Sequence, residues 1–216
     1  PEYEILDTGI FSKDEYFDVT ITYAKENEAD IFIKIDILNR NSAEAPITVL
    51  PTLWFYNRWV YTPDEPKPVI RALDKTAVTA THSRLGDYYF YFQQADDRLF
   101  TENETNFHKV NGSKQKTPFT KDAFHDAIIS GTNRPKLRAK KEGTKFSPVY
   151  EMVVQPGETK TIYCRLTSRQ TGEPFLQGFE NIFTKRKQEA DEFYQAILPA
   201  DISGDLRNIQ RKALAG

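Results

Sequence analysis

Apolar and polar residues alternate with a period of two along most of the chain up to about residue 170. The clearest case is IFIKIDILN at residues 31–39, where every second position is isoleucine as far as residue 37. Residues 18–23, DVTITY, follow the same alternation. This period is typical of a strand that buries one face and exposes the other. We therefore predict a series of half-buried antiparallel strands.

Turn-like sequences separate these strands and predict how they pair. Residues 25–30, KENEAD, and residues 155–158, QPGE, have the composition of turns that join hairpin partners. So many strands without alternating helices favour two packed antiparallel sheets over a parallel α/β sheet. The predicted class is therefore all-β, a large antiparallel β-sandwich. The further strands are predicted at residues 3–6, 47–56, 77–82, 87–93, 149–154 and 159–166.

The period changes after Pro174. Residues 179–197 carry apolar side chains at helical spacing opposite a charged face, which predicts an amphipathic helix. A second, shorter helical pattern covers residues 205–216. We therefore predict a β-sandwich domain over residues 1–173 and a helical lead-out over residues 174–216.

Periodicity is weakest between residues 99 and 145, which are polar, rich in turn formers and dotted with phenylalanine. A segment of this length with little regular structure is either disordered or a functional loop. The spaced Phe100, Phe107, Phe119 and Phe124 favour a loop held against a surface.

Charge and cysteine content narrow the functional classes. Lysine and arginine number 29 against 31 aspartates and glutamates, a formal charge of -2, so no strong field predicts a nucleic acid or an anionic membrane as partner. No apolar run is long enough to predict a membrane helix. The single cysteine, Cys164, excludes an internal disulfide and a cysteine-based zinc site. No nucleotide-binding loop occurs. We predict no metal and no cofactor, and the localisation stays open with the cytoplasm favoured.

Residues 50–61, LPTLWFYNRWVY, concentrate aromatic surface around two polar groups. Trp54 and Trp59 flank Asn57 and Arg58. Aromatic faces bind the C–H faces of sugars, and amide and guanidinium groups bond to hydroxyls. The same composition also suits a core or a protein interface. The segment therefore predicts either a buried or interface cluster or a sugar-binding platform.

Paired carboxylates occur in TENETN, residues 101–106. Glu102 and Glu104 are two positions apart and share one face if the backbone is extended, with Asn103 and Asn106 beside them. Two such carboxylates can serve as general acid and base when their pKa values differ. The alternative is that these residues cap turns and contact water.

His125 and Asp126 are neighbours in KDAFHDAIISG, residues 121–131. A histidine beside a carboxylate can act as a general base or a metal ligand. The chain has only three histidines, no H-E-x-x-H pattern and no G-x-S-x-G nucleophile motif. We interpret the pair as hydrogen-bonding groups that fix a loop, or as ligand contacts.

A succession of segments carries a resemblance to a known family. In order along the chain they are EYEILDTGIF, YFDVTITYAK, LPTLWFYNRW, LFTENETN, KDAFHD, GTK at residues 143–145 and NIQRKALAG. Together they span nearly the whole chain and resemble the N-terminal β-sandwich domain of bacterial glycoside hydrolases related to family 63. Those glucosidase-like proteins carry their catalytic groups in a helical (α/α)6 barrel.

The resemblance implies a supersandwich-like fold for this chain and a separate domain for catalysis. The general acid and base of such an inverting glycosidase lie in the barrel, which would begin near Leu206 and continue past Gly216. We therefore expect no catalytic residue in this chain, with the missing (α/α)6 domain as its partner and carbohydrate as a candidate ligand. Whether the chain alone is an enzyme stays open. The alternatives are a stand-alone carbohydrate-binding module and hydrolysis by Glu102 or Asp126. The candidate substrate-binding or barrel-facing residues are Trp54, Asn57, Arg58, Trp59, Glu102, Asn103, Glu104, Asn106, His125, Asp126 and Lys145.

Overall fold

A computed structural model describes residues 2–62, 64–114, 117–175, 178–199 and 201–215. Gly216, the predicted end of the second helix, lies outside the described residues. The strands are β1 (Phe17–Asn27), β2 (Asp30–Asn39), β3 (Ala45–Val49), β4 (Leu53–Trp54), β5 (Val69–Ala72), β6 (Ala77–His82), β7 (Gly86–Phe92), β8 (Asp97–Thr101), β9 (Glu142–Gly143), β10 (Lys145–Val154) and β11 (Thr159–Thr167). The helices are α1 (Phe107–Asn111), α2 (Ala123–Ile129), α3 (Arg134–Ala139), α4 (Phe179–Ile197) and α5 (Gly204–Ala215).

The strands form two sheets with antiparallel pairing throughout the described part of the chain. Seven strands follow the order β1-β2-β11-β7-β6-β5-β9, and in the smaller sheet β10 pairs with β3, β4 and β8. The antiparallel, β-rich architecture followed by C-terminal helices is therefore confirmed. Strands β5, β8 and β9 were missed, because strands of two to five residues offer too few alternating positions to be recognised in the sequence.

The two sheets share one hydrophobic core. Phe92 from the larger sheet meets Phe146 from the smaller one with ring centroids 5.4 Å apart, and Phe100 lies 4.7 Å from Phe146. Each fully buried phenylalanine contributes roughly 1.5–3 kcal/mol relative to an exposed one. Cys164 belongs to the same core, and burial raises the pKa of its thiol to about 12. The thiol is therefore protonated and buried at neutral pH.

Helices cover part of the outer face of each sheet. Helix α4 packs on β1 and β2 of the larger sheet, while α2 and α3 pack on the smaller sheet. This packing leaves the rest of the smaller sheet's outer face available for a surface cleft. The contacts are Phe179 and Phe183 with Ala24 and Phe32, and Phe124 and Leu137 with Leu99 and Val149.

The prediction of a strand at residues 3–6 is wrong. The structure has a 3₁₀ turn at Ile5–Thr8, and Tyr3, Ile5 and Leu6 are exposed. A strand needs a neighbour to satisfy its backbone groups, and alternation in the sequence does not report whether that neighbour exists.

The predicted strand at residues 47–56 is interrupted. Strands β3 and β4 keep one register against β10, with Val49 opposite Tyr150 and Leu53 opposite Phe146. The same register puts Pro51 opposite Pro148, and neither proline has an N–H to donate. The hydrogen-bond ladder therefore breaks between the two segments.

The region from residue 99 to residue 145 is only partly irregular, because it contains the end of β8, three short helices and β9. Phe100 and Phe124 are buried, whereas Phe107 is exposed. Phe119 is half-buried and packs against the cluster that contains Phe124 and Leu137. The prediction that phenylalanines hold this segment against a surface is thus confirmed for three of the four.

Candidate functional site

An open cleft of about 1020 Å³ lies on the outer face of the smaller sheet. Trp54 of β4 and Lys145 of β10 are paired across the two strands. Both point away from the core, because their neighbours Leu53 and Phe146 point into it. The remaining lining comes from Thr52 and from residues within 56–61 and 103–121. Six predicted site residues line the cleft: Trp54, Asn57, Trp59, Asn103, Glu104 and Lys145.

Glu104 is the most heavily bonded acid of this cleft. Its Oε1 accepts hydrogen bonds of 3.0 Å from Trp59 Nε1 and 3.0 Å from Lys67 Nζ, and its Oε2 accepts one of 2.5 Å from Thr117 Oγ1. Burial alone would raise the pKa of Glu104, but the hydrogen bonds from Thr117, Trp59 and Lys67 outweigh it and hold the pKa below its usual value. The carboxyl group is therefore ionised at neutral pH.

Glu102 lies beside Glu104 and shares its cation. Lys67 Nζ is 2.9 Å from Glu102 Oε2 and 3.0 Å from Glu104 Oε1. Burial lowers the pKa of Lys67, but its bonds to the two carboxylates raise it above the usual value. One ammonium thus holds together the two acids that the sequence singled out.

The GTK segment positions the acidic strand through Thr144. Its Oγ1 donates to Glu102 Oε2 at 2.9 Å and accepts from the Asn103 backbone N–H at 2.7 Å. The Thr144 carbonyl accepts from the Phe55 N–H at 3.0 Å. This one residue therefore ties the aromatic segment to the acidic segment.

Gly143 allows this close approach. A Cβ at this position would lie 2.4 Å from the Thr101 carbonyl oxygen, well inside van der Waals contact. The glycine of GTK is therefore required by packing against the backbone of β8.

Asn57 and Asn103 provide amide groups at the cleft. Asn103 Nδ2 donates to the Phe55 carbonyl at 2.9 Å. Asn57 Oδ1 is buried and accepts no hydrogen bond from the described residues. An unpaired buried acceptor costs about 1–3 kcal/mol, so a ligand hydroxyl that reached it would be stabilised.

Asn106 and Asp126 lie in a separate cluster around Lys109. Lys109 Nζ is 2.8 Å from Asp122 Oδ2 and 3.1 Å from Asp126 Oδ2, and Asn106 Nδ2 donates to Asp122 at 3.0 Å. Burial opposes ionisation of Asp122, but bonds from Lys109, Thr120 and Asn106 lower its pKa to about 2. This cluster fixes α1 against α2, and His125 takes no part in it.

His125 and Arg58 are not brought into the cleft. His125 is exposed on α2, and Arg58 lines an adjacent depression of about 50 Å³ that shares Tyr56 and Trp59 with the main cleft. Helical geometry separates His125 from Asp126, because successive residues on a helix do not share a face.

Several cleft residues were not among those predicted from the sequence. Tyr56 and Tyr61 lie within the quoted aromatic segment and extend its surface. Lys121 begins the KDAFHD segment but was not among the predicted site residues. Lys67 and Thr117, which donate hydrogen bonds to Glu104, lie in ordinary polar stretches that no sequence signal marks.

Within the described ranges, no cluster of three or more histidine, cysteine or acidic side chains is arranged to hold a metal ion. Among the helices the structure describes, none has the length and apolar character needed to cross a membrane.

Fold and cleft together define a class, a β-rich domain of two antiparallel sheets with an aromatic and polar cleft on the smaller one. No family profile matches the chain. It is similar to the uncharacterized protein YMR196W of Saccharomyces cerevisiae, with 30% identity over 260 aligned positions that cover 100% of this chain and 24% of the yeast protein. The chain thus spans about a quarter of the length of the curated relative it matches.

Proposed function

We propose that this chain is the noncatalytic, supersandwich-like N-terminal domain of a glycoside hydrolase related to family 63. In this proposal its cleft contacts carbohydrate at the rim of an active site carried by an adjoining (α/α)6 barrel. The cleft is the observation that carries the proposal. Trp54, Tyr56 and Tyr61 are exposed by 53%, 75% and 83%, so these rings are surface platforms and not core. Amide groups of Asn57 and Asn103 lie beside them.

The state of the acids supports a noncatalytic role. A glycosidase general acid needs a raised pKa so that it holds a proton at working pH. Glu104 has a lowered pKa, and its carboxylate oxygens already accept three hydrogen bonds. Glu102 is bound to the same ammonium of Lys67. Neither acid is arranged to protonate a leaving group.

Exposed apolar side chains near the C-terminal end support a partner domain. Helix α5 has no buried residue, and Leu206, Ile209 and Leu214 are exposed by 51%, 55% and 59%. Exposed apolar surface of this kind marks an interaction site. The yeast relative extends well beyond the matched quarter of its length, which leaves room for a second domain in that protein.

Calorimetric titration with gluco- and manno-disaccharides tests the carbohydrate contact. We expect saturable binding that Trp54→Ala abolishes and that Glu142→Gln, a surface substitution away from the cleft, leaves unchanged. Absence of binding by the folded chain would contradict the proposed role of the cleft.

Photo-crosslinking in the yeast relative tests the partner domain. A crosslinker placed at the positions aligned with Leu206 and Ile209 should capture peptides from outside the matched region. Capture of peptides from a second protein molecule, with none from the same polypeptide, would contradict the intramolecular barrel contact.

The second candidate is a stand-alone carbohydrate-binding module, favoured by the exposed rings of Trp54, Tyr56 and Tyr61 that lie beside amide groups in the cleft. Sugar binding together with no crosslink to any other region of the relative would favour the module. Sugar binding together with crosslinks to the remainder of the polypeptide would favour the domain.

A further inference from the structure

The cleft carries lysines that no described carboxylate pairs with. Lys114, Lys121 and Lys145 all line it. None of the three forms an ion pair with a carboxylate among the described residues. Glu104, the acidic side chain of the lining, is already bonded to Lys67, Trp59 and Thr117. The lysines therefore outnumber the carboxylates available to pair with them.

Lys145 is the most constrained of these cations. It is half-buried between Trp54 and Thr101 in the smaller sheet. Its Nζ lies 4.5 Å from the centre of the Phe124 ring and donates to the Lys121 carbonyl at 3.0 Å. An ammonium has three donors, so further acceptors can bind it.

The environment of Lys145 disfavours its charge. Burial and the neighbouring charge of Lys121 lower its pKa, and Asp122 only partly opposes them. Asp122 itself is already bonded to Lys109, Thr120 and Asn106. A bound anion would replace lost hydration and relieve the repulsion between the two lysines. A neutral ligand would do neither.

From this arrangement we infer that the cleft binds an anionic carbohydrate, a sugar bearing a carboxylate or a phosphate. The sugar ring lies on Trp54 and the charged group binds Lys121 and Lys145, with Lys114 also lining the cleft. This inference rests on the proposed carbohydrate contact and specifies its ligand class.

A matched set of small ligands tests the inference by calorimetry on the chain. The probes are glucose, glucuronate, glucose 6-phosphate and inorganic phosphate, at one pH and one low salt concentration. We expect at least one charged sugar to bind about tenfold or more tightly than glucose, as a charge-assisted hydrogen bond provides. The glucuronate and glucose 6-phosphate arms distinguish a carboxylate from a phosphate.

Charge-removing substitutions assign the effect to the two lysines. Lys121→Gln and Lys145→Gln should each weaken binding of the preferred charged sugar about tenfold and weaken glucose binding much less. Lys185→Gln, on the exposed face of α4, is the matched control and should change neither. Thermal unfolding of each variant checks the fold, and Lys121→Gln alone suffices if Lys145→Gln does not fold.

The results that contradict the anionic ligand differ from those that contradict the carbohydrate contact. Glucose binding as tightly as both charged sugars would overturn the anionic ligand and leave the carbohydrate contact standing. If inorganic phosphate binds as tightly as glucose 6-phosphate, the site recognises the phosphate group alone, and the inferred contact with the sugar ring is wrong. Absence of binding by every probe and by the disaccharides would overturn both the inference and the carbohydrate contact.

Discussion

Trp59 and Glu104 are joined by a 3.0 Å hydrogen bond from the indole N–H to the carboxylate, across 45 residues of sequence. Lys67 completes the arrangement, with its Nζ 5.4 Å from the centre of the Trp59 ring and bonded to Glu104. The bond links the aromatic segment to the acidic segment and forms one wall of the cleft. It also explains why a tryptophan rather than a phenylalanine suits position 59, because phenylalanine has no donor.

Replacing Glu104 by glutamine should lower stability. The substitution removes the charge that Lys67 and two neutral donors share, and we expect a loss of about 1–3 kcal/mol in the free energy of unfolding. Urea denaturation measures it. The matched control is Glu142→Gln, whose carboxylate pairs with Arg71 at the exposed surface, and we expect a change within about 0.5 kcal/mol there. Equal losses in the two variants would contradict a stabilising role for the half-buried network around Glu104.

Trp54 and Trp59 should respond differently to substitution. Trp54 is exposed by 53% and makes no side-chain hydrogen bond in the described structure, so Trp54→Ala should abolish sugar binding with little loss of stability. Trp59→Phe keeps the ring but removes the donor to Glu104, and we expect a stability loss of about 1 kcal/mol. Calorimetry and urea denaturation on both variants separate the two roles. A large loss of stability in Trp54→Ala would show that Trp54 is structural.

Gly143→Ala should distort the cleft. The new methyl group would meet the Thr101 carbonyl oxygen at 2.4 Å, so the backbone of β8 or β9 must shift. We expect a destabilisation of about 1–3 kcal/mol and weaker sugar binding, because Thr144 moves with its neighbour. Gly172→Ala is the control, since nothing lies within 4 Å of a Cβ there. The prediction fails if the two alanine variants unfold at the same urea concentration.

Asp122 should contribute stability that depends on pH. Its pKa is lowered from 3.8 to about 2, so its contribution is present above pH 4 and lost as pH falls towards 2. We expect Asp122→Asn to cost about 2 kcal/mol at pH 7 and almost nothing near pH 2. The free energy of unfolding of the unsubstituted chain and of Asp122→Asn, measured between about pH 2 and pH 7, checks this difference in stability. A difference that stays constant with pH would rule out this electrostatic origin.

Polar substitutions on α5 should be tolerated. Leu206, Ile209 and Leu214 are exposed, so changing all three to glutamine should alter stability by less than about 1 kcal/mol and reduce binding of a hydrophobic dye. Phe183→Ala is the contrast, because Phe183 is buried and its ring lies 5.6 Å from that of Phe179, and we expect a loss of about 3 kcal/mol. Substantial unfolding of the triple variant would show that α5 is packed in solution.

The periodicity of the sequence predicted the elements in which buried and exposed side chains alternate regularly. Strand β2 alternates because one face meets the core and the other does not, and α4 has an apolar stripe because it covers a sheet. The tract from residue 50 to residue 61 showed a concentration of ring and amide groups, but its composition left both a buried or interface cluster and a sugar-binding platform open. These features depend on the spacing of apolar and polar residues within one segment, which can be read from the sequence.

Partnership between distant segments was decided only by the tertiary structure. Pro51 interrupts a predicted strand because the register places Pro148 opposite it. Lys67 belongs to the site because the fold places its ammonium beside Glu102 and Glu104. His125 does not, because it is exposed on helix α2 outside the cleft. The sequence by itself determined the long regular elements, such as β2 and α4, and showed which tract is rich in ring and amide groups. The fold decided which charges meet, because the strength of a charge pair depends on distance and burial rather than on sequence separation.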